Sequence, residues 1–353
     1  MTNEEQDSVL HEKNTQAKVK KGAVYIASIS ITMMFLGLFS AYVVSAGDSF
    51  WVKFPMPSFF WISTGIIVIS SLTFELAIVL MKRRKASISK FLILSTTLLG
   101  LFFAYSQFKG YQQLIDSGVH VVNRIMVSNG RYGDYFEIKQ GNDLLVVNGN
   151  SFMKKGKFLS EEDNSKLREF AALFAGKDRI TPIDYPKYGK EFSLVYRFEP
   201  LALRDGVLLR EDSTNLELAD WVRLEEMMTN IADGRGDFFI RGEFGKDFQM
   251  FYAGKPLQYE DRKLYYEGKP LSRGLQLKLY DSKDNASAYL YIITFLHLLH
   301  ILATLLYLIV FTKRTYSNEF SESNTLGMRA TAIFWHFLGV LWLILFTFLI
   351  LVH

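Results

Sequence analysis

Residues 289–312 of this chain read YLYIITFLHLLHILATLLYLIVFT and contain no charged side chain. At about 1.5 Å of rise per residue, a helix of this length crosses the roughly 30 Å hydrocarbon core of a bilayer. This run belongs to a longer apolar segment, 286–312, and similar segments occur at 22–46, 57–81, 91–115 and 330–352. Because backbone polar groups in hydrocarbon must pair within their own segment, we expect five transmembrane α-helices.

The composition excludes several classes of protein. The chain has 353 residues, of which 49% are hydrophobic and 22% charged, and its net charge is +4. Apolar runs of this length exclude a wholly soluble protein and a disordered chain. Because the chain has no cysteine, a disulfide framework, a thiolate zinc site, an iron–sulfur cluster and a covalently attached c-type haem are also excluded.

Basic residues alternate between the two sides of the five segments. One side holds Lys18, Lys20, Lys21, Lys82, Arg83, Arg84, Lys85, Lys90, Lys313, Arg314 and Arg329, whereas the other, outside the long loop, holds Lys53 and Lys109. The positive-inside rule therefore places the tail, residues 1–21, in the cytoplasm, followed by three helices within 22–115. Residues 116–285 would then lie outside the cytoplasm, periplasmic for a bacterial inner membrane, and 286–353 would form the last two helices.

The long loop, 116–285, is predicted to be a soluble α+β domain inserted between the third and fourth helices. It holds 26 basic and 28 acidic residues, a balance that argues against nucleic acid as a partner. Alternating apolar residues predict strands at 134–139, 144–148, 192–198, 238–244 and 276–280. Helices are predicted from a cap at Ser160 to Gly176, and over 216–233.

A short repeat lies within this domain. FYAGKPL at 251–257 recurs as YYEGKPL at 265–271. Glycine followed by Lys-Pro between aromatic-rich strands is typical of consecutive hairpin turns, so we interpret the repeat as a β-meander.

Polar residues inside the predicted spans are the candidate functional residues, because their burial in a membrane is costly. They are His297 and His300 in the fourth span, His336 in the fifth and Glu75 in the second. His300 and His336 fall at similar depth and could bind a b-type haem between two helices. Hydrogen bonds across helices or to lipid head groups are the preferred interpretation. The inserted domain has one histidine, His120, and is expected to have no copper or haem centre.

Two motifs in the last spans carry a family resemblance. Residues 294–300 read TFLHLLH and residues 334–342 read FWHFLGVLW. They resemble subunit III of the haem–copper oxidases, with its Thr-Gly-x-His-Gly-x-His and Trp-His-Phe-x-Asp-x-x-Trp patterns. Looser agreement comes from FLGLFSAY at 35–42, from Ser63-Thr64 with SSLT at 70–73, and from Gly100 with Gln107. Order and spacing match the five-helix bacterial form.

The chain departs from the family pattern at several positions. Phe295 and Leu298 replace the two glycines, and Gly339 replaces the aspartate. Two further family glutamates would fall near Ile31 and Arg329. The resemblance therefore does not imply a role in proton delivery for this chain. The inserted domain has no counterpart in the pattern.

The resemblance implies a non-catalytic subunit of a respiratory terminal oxidase, most simply one fed by cytochrome c, in aerobic electron transport coupled to proton translocation. It implies packing against catalytic subunit I and subunit II, with haem and copper in those partners and phospholipid bound to this chain. His297, His300, Trp335 and His336 match family positions and are assigned, with Glu75, to lipid or interhelical contacts. The inserted domain is expected to contact a neighbouring subunit, cytochrome c or another electron donor complex.

Three alternatives remain open. The chain could be a b-haem membrane anchor that exchanges electrons with quinone, or subunit III of a quinol oxidase. It could also be a receptor with an outer sensor domain, although only about 21 residues precede the first span and none follow the fifth, so an output module is not expected.

Overall fold

The computed structural model describes residues 3–125, 131–236, 244–260, 263–317 and 326–353. The chain divides into two compact units. The membrane unit comprises Met1–Ser45, Met56–Leu114 and Tyr289–His353, and the outer unit comprises Ala46–Pro55 and Ile115–Ala288.

Eight helices occur in the described residues. They are α1 (Asn3–Asp48), α2 (Ser58–Lys82), α3 (Ala86–Asp116), α4 (Glu161–Ala172), α5 (Leu218–Ala232), α6 (Arg273–Asp281), α7 (Asn285–Tyr316) and α8 (Leu326–Val352). Five of them, α1, α2, α3, α7 and α8, are long and apolar enough to cross a membrane. The prediction of five spans is confirmed. Helix α1 begins at Asn3, so helical backbone also covers most of the tail at 1–21.

Hydroxyl groups join the helices of the membrane unit. Thr97 and Thr312 share a hydrogen bond of 2.8 Å between α3 and α7, and Tyr111 donates to Thr294 between the same helices. Ser89 donates to the Ala77 carbonyl of α2. Because lipid tails are as apolar as leucine, close packing and such hydrogen bonds are what hold membrane helices together.

The outer unit contains sixteen short strands within the described residues, counting the one between α1 and α2. They are β1 (Trp51–Lys53), β2 (Asn123–Arg124), β3 (Phe136–Gln140), β4 (Asp143–Asn148), β5 (Ser151–Lys154), β6 (Lys157–Phe158), β7 (Phe192–Tyr196), β8 (Glu199–Pro200), β9 (Ala202–Arg204), β10 (Val207–Leu209), β11 (Gln249–Tyr252), β12 (Lys255–Pro256), β13 (Gln258–Glu260), β14 (Lys263–Tyr266), β15 (Lys269–Pro270) and β16 (Lys283–Asp284).

The main sheet of the outer unit is antiparallel, in the order β6-β5-β4-β3-β7-β8. The strands predicted at 134–139, 144–148 and 192–198 are confirmed as β3, β4 and β7. Apolar side chains of this sheet share one buried core with those of α4 and α5, including Ile138, Leu194, Phe170, Leu224 and Met228. The predicted α+β class is therefore confirmed.

The predicted helix at Ser160 is also confirmed. The Ser160 side chain accepts a hydrogen bond from the Asp163 amide, and Leu167, Phe170 and Ala171 are buried on one face of α4. Gly176 has φ +67°, a left-handed conformation that suits a helix C-terminus. The helix predicted over 216–233 is present as α5.

Two strand predictions have different outcomes. The strand predicted at 276–280 is wrong, because these residues lie in α6. The Ser272 side chain accepts from the Leu275 amide and caps the helix. Leu275 and Leu279 lie four residues apart and so share a helical face, and Leu279 is fully buried. The strand predicted at 238–244 lies outside the described residues except for Phe244, which forms an isolated bridge with Phe248.

The repeat forms two equivalent hairpins, β11–β12 and β14–β15. Tyr252 pairs with Lys255 in the first copy and Tyr266 with Lys269 in the second. The turn residues all have positive φ, namely Ala253, Gly254, Glu267 and Gly268. The second copy belongs to a three-stranded meander, β13-β14-β15, whereas the first pairs with β1. The predicted turns are thus confirmed, but they belong to two sheets.

Candidate functional site

His297 lies at the centre of the membrane unit. It is fully buried, and its Nε2 is 3.0 Å from the Leu338 carbonyl of α8. Because a carbonyl can only accept, Nε2 carries the proton and donates to it. Rings of Phe35, Phe103 and Trp342 surround the imidazole, with centroids 5.2 to 6.5 Å away. His297 therefore joins α7 to α8.

Two tryptophans of the second motif join α8 to α2. The Trp335 indole Nε1 donates to the Ser70 hydroxyl at 3.1 Å, and Trp342 Nε1 donates to the Thr64 hydroxyl at 2.9 Å. Both rings are fully buried. Trp342, Ser70 and Thr64 were not among the candidate site residues. Their occurrence in the resemblance motifs was the signal that could have identified them.

Two glycines permit close contacts between helices of the membrane unit. A Cβ atom on Gly100 would lie 2.7 Å from Leu305 and 2.8 Å from the Trp335 ring. A Cβ on Gly339 would lie 3.2 Å from the Ser71 hydroxyl of α2. Glycine at 339, where the family has aspartate, therefore allows α8 to pack closely on α2.

His300 lies one turn from His297 but has different neighbours. Its Nδ1 is 2.6 Å from the Leu296 carbonyl in the same helix, and its ring is 6.2 Å from Phe35 of α1. It also lines a largely apolar cavity of about 520 Å³. The other lining residues come from α1, α7 and α8, namely Ala23, Val24, Ala303, Thr304, Tyr307, Ala330, Thr331 and Phe334.

The side chains of His336 in α8 and Glu75 in α2 lie close together. The His336 Nε2 and a Glu75 carboxylate oxygen are 3.5 Å apart, and the side chains are 31% and 61% exposed. His336 also contacts the Phe74 ring of α2. His300 and His336 are thus engaged with different helices, α1 and α2. In the described residues, no group of three or more His, Asp or Glu side chains could hold a metal ion.

A charged cluster in the outer unit has a structural explanation. Asp220 is buried at the start of α5 and accepts from Arg210, Arg223 and the Tyr196 hydroxyl at 2.8 to 3.1 Å. The pKa of Tyr196 is raised, first by burial and then by its hydrogen bond to Asp220. Buried carboxylates need partners of this kind. The cluster therefore fixes α5 to β7 and to the segment after β10.

The other side of α5 presents apolar side chains to solvent. Ile180, Leu218 and Val222 are exposed and line one groove of about 480 Å³ with Trp221, and the charged residues Lys177, Asp178, Arg179 and Glu225 also line it. Phe198, at the turn between β7 and β8, is 92% exposed. Exposed apolar groups that share a groove are typical of protein interaction surfaces.

Comparison with protein families gives a match in the last part of the chain. Residues 281–352, which contain α7 and α8, match the family model of cytochrome c oxidase subunit III. No curated protein matches the chain. The matched region contains His297, His300, Trp335, His336 and Trp342, the residues that form the helix contacts described above. Over the region of its last two membrane helices, residues 281–352 of 353, the chain is similar to cytochrome c oxidase subunit III.

Proposed function

We propose that this chain is the non-catalytic subunit III of a respiratory haem–copper oxidase in a bacterial inner membrane. The observation that carries the proposal is the match of residues 281–352, whose motif side chains are used for contacts between helices. In this proposal His297 and Trp335 hold the bundle together, and His300, His336 and Glu75 contact helices, lipid or partner subunits. Haem and copper reside in catalytic subunit I and subunit II.

The orientation proposed for the complex follows the distribution of basic residues. The N-terminus lies in the cytoplasm, and residues 116–285 lie in the periplasm, where cytochrome c would deliver electrons. The groove formed by Ile180, Leu218 and Val222 supports a contact of the outer unit with a neighbouring subunit or an electron donor.

Bound phospholipid is the further part of this proposal. The cavity beside His300 is lined mainly by apolar side chains, with the hydroxyl groups of Thr304, Tyr307 and Thr331 among them. An acyl chain fits such a lining. The Thr304 hydroxyl donates to the His300 carbonyl and can still accept, as the other hydroxyl groups can, from the polar part of a lipid. Native mass spectrometry of the purified chain should detect retained phospholipid, and Ala303→Trp should reduce it by filling the cavity.

The proposal is tested by purification from native membranes. An affinity tag on this chain should recover oxidase subunits I and II, and haem absorbance should accompany those subunits. Recovery of the chain without an oxygen-reducing partner would contradict the proposal.

The alternative of a b-haem membrane anchor is tested in the same preparation. It predicts a haem spectrum in the isolated single chain that is lost on His300→Ala. The structure favours the contact interpretation, because His300 and His336 pack against different helices and His297 Nε2 is already bound to a carbonyl.

A further inference from the structure

The close pair of Glu75 and His336 lies on the outward surface of the membrane unit. Glu75 is 61% exposed, and its neighbours on that surface are apolar: Leu72 one turn away on α2 and Val340 one turn from His336 on α8. This surface, formed by Leu72, Glu75, His336 and Val340, is called the pair face below.

The position of the pair along the helices makes its exposure unusual. Glu75 is seven residues from Lys82 at the basic end of α2, or about 10 Å along the helix axis. His336 is eight residues from Met328, where the apolar part of α8 begins, or about 12 Å. Both groups therefore lie inside the hydrocarbon layer and not at its surface.

An ionisable pair at this depth needs more polar contacts than this chain provides. His336, with its Nε2 3.5 Å from a Glu75 carboxyl oxygen, is the partner of Glu75 among the described residues, and a carboxyl group can accept several hydrogen bonds. Ionisable side chains in membranes almost always face a protein interior or a water-filled cavity. Lipid tails cannot supply the missing donors, whereas a polar side chain on an adjacent helix can.

We propose that the pair face is covered in the assembled complex by a transmembrane helix of another oxidase subunit, which presents a lysine, arginine or other hydrogen-bond donor to Glu75. The proposal rests on the proposed function. It adds which side of the bundle meets the partner and what the partner carries there. The exposed carboxyl oxygens of Glu75 can accept hydrogen bonds, and this complementarity selects a partner side chain that donates one.

Site-directed photo-cross-linking in native membranes tests the pair face. Benzoylphenylalanine is placed at Leu72 or Val340 in the full chain, with matched exposed positions at Leu98 of α3 and Leu306 of α7 as controls. We expect adducts with an oxidase subunit from Leu72 and Val340 and at least tenfold lower yield from the controls. Lipid adducts alone from Leu72 and Val340, or adducts with a second copy of this chain, would overturn the proposal.

Substitutions of Glu75 distinguish a role of this residue in assembly of the complex from a role in folding of the chain. Glu75→Leu removes a polar group from an exposed apolar surface, so the isolated chain should keep or raise its melting temperature. The same change should lower the recovery of oxidase subunits several-fold, and Glu75→Gln, which can still hydrogen-bond, should lower it less. Unchanged recovery with Glu75→Leu contradicts the proposal.

Different results would contradict the proposed function and the assignment of the pair face. If the wild-type chain recovers no oxidase subunits, the proposed function is wrong. If it recovers them but Leu72 and Val340 cross-link only to lipid, the assignment of the pair face alone is wrong.

Discussion

Gly100 lets α3 approach α7 and α8 closely. A Cβ atom there would meet Leu305 and the Trp335 ring within 3 Å. Leu305 is buried, and Trp335 is fully buried and donates to Ser70, so neither side chain can readily move aside. Glycine at this position is therefore a packing requirement.

Gly100→Ala should destabilise the membrane unit by about 1–3 kcal/mol, the usual cost of overpacking a core. The measurement is the melting temperature of the full chain in detergent, followed by size-exclusion chromatography. Gly65→Ala is the matched control, because nothing lies within 4 Å of its added carbon. Equal melting temperatures for the two variants would contradict the packing role of Gly100.

Asp284 is a buried carboxylate next to the first residue of α7. Its Oδ1 accepts from the Ala286 amide at 3.0 Å, whereas Oδ2 is buried with no hydrogen-bond partner in the described residues. Burial raises the pKa of Asp284 from 3.8 to about 6. Because the folded state holds this proton more tightly than the unfolded state, stability should fall as pH rises from about 4 to 6.

Asp284→Asn should remove this pH dependence. The pKa difference corresponds to about 3 kcal/mol, so the variant should be more stable than the wild type at pH 7.5 and similar to it near pH 4. Melting temperatures measured across that range provide the test. Asp281→Asn, at an exposed carboxylate three residues earlier, should leave the wild-type profile unchanged.

The Ser160 cap sets the residue at which helix α4 begins. The Ser160 hydroxyl accepts from the Asp163 amide at 3.1 Å and donates to the Asp163 carboxylate. Three acidic residues in the first turn also favour the helix N-terminus.

Ser160→Ala should cost about 1 kcal/mol of helix stability. Hydrogen exchange of the full chain should show faster exchange in peptides covering 158–172. Ser165→Ala, at an exposed position within the same helix, should not increase exchange there. If both variants exchange like the wild type, the cap contributes little.

Helices and strands could be predicted where the hydrophobic periodicity of the sequence matches the face that is buried in the structure. The five membrane helices, α4, α5, and strands β3, β4 and β7 follow directly from hydrophobic period and caps. Leu275, Leu277 and Leu279 alternate as in a strand, but Leu275 and Leu279 also fit one helical face, and the cap at Ser272 decides for α6. The pairing of β1 with β11 joins residues about 200 positions apart, and three-residue strands carry no signal of such a partner.

The candidate site was predictable only in part. Motifs identified His297, His300, Trp335 and His336 as a group, but spacing along one helix cannot show what each side chain meets on another. The structure separates them: His297 contacts Leu338, Trp335 contacts Ser70, and His336 contacts Glu75. Such contacts depend on the packing of distant segments.

The charge distribution of the whole chain predicts its topology. Residues 116–285 have 26 basic and 28 acidic residues, a net charge of −2, whereas the chain has +4, so the remaining residues carry +6. An excess of positive charge beside membrane helices marks the cytoplasmic side.

Cysteine labelling checks this topology, because the chain has no cysteine of its own. In spheroplasts, a membrane-impermeant maleimide should label Ser165→Cys in α4, whereas Ser87→Cys at the start of α3 should be labelled only after permeabilisation. The unsubstituted chain is the control. Labelling of Ser87→Cys in intact spheroplasts, with protection of Ser165→Cys, would reverse the orientation.

The pairing of β1 with β11 has a consequence for how the two units could be separated. Trp51 and Val52 are buried in the outer unit, and Phe50 stacks on Tyr252 at 4.7 Å. A truncated protein in which residues 116–285 were excised would leave these side chains in water. The insert is therefore not a detachable module, and a stable minimal version would also need a redesigned, polar connection between the first two membrane helices.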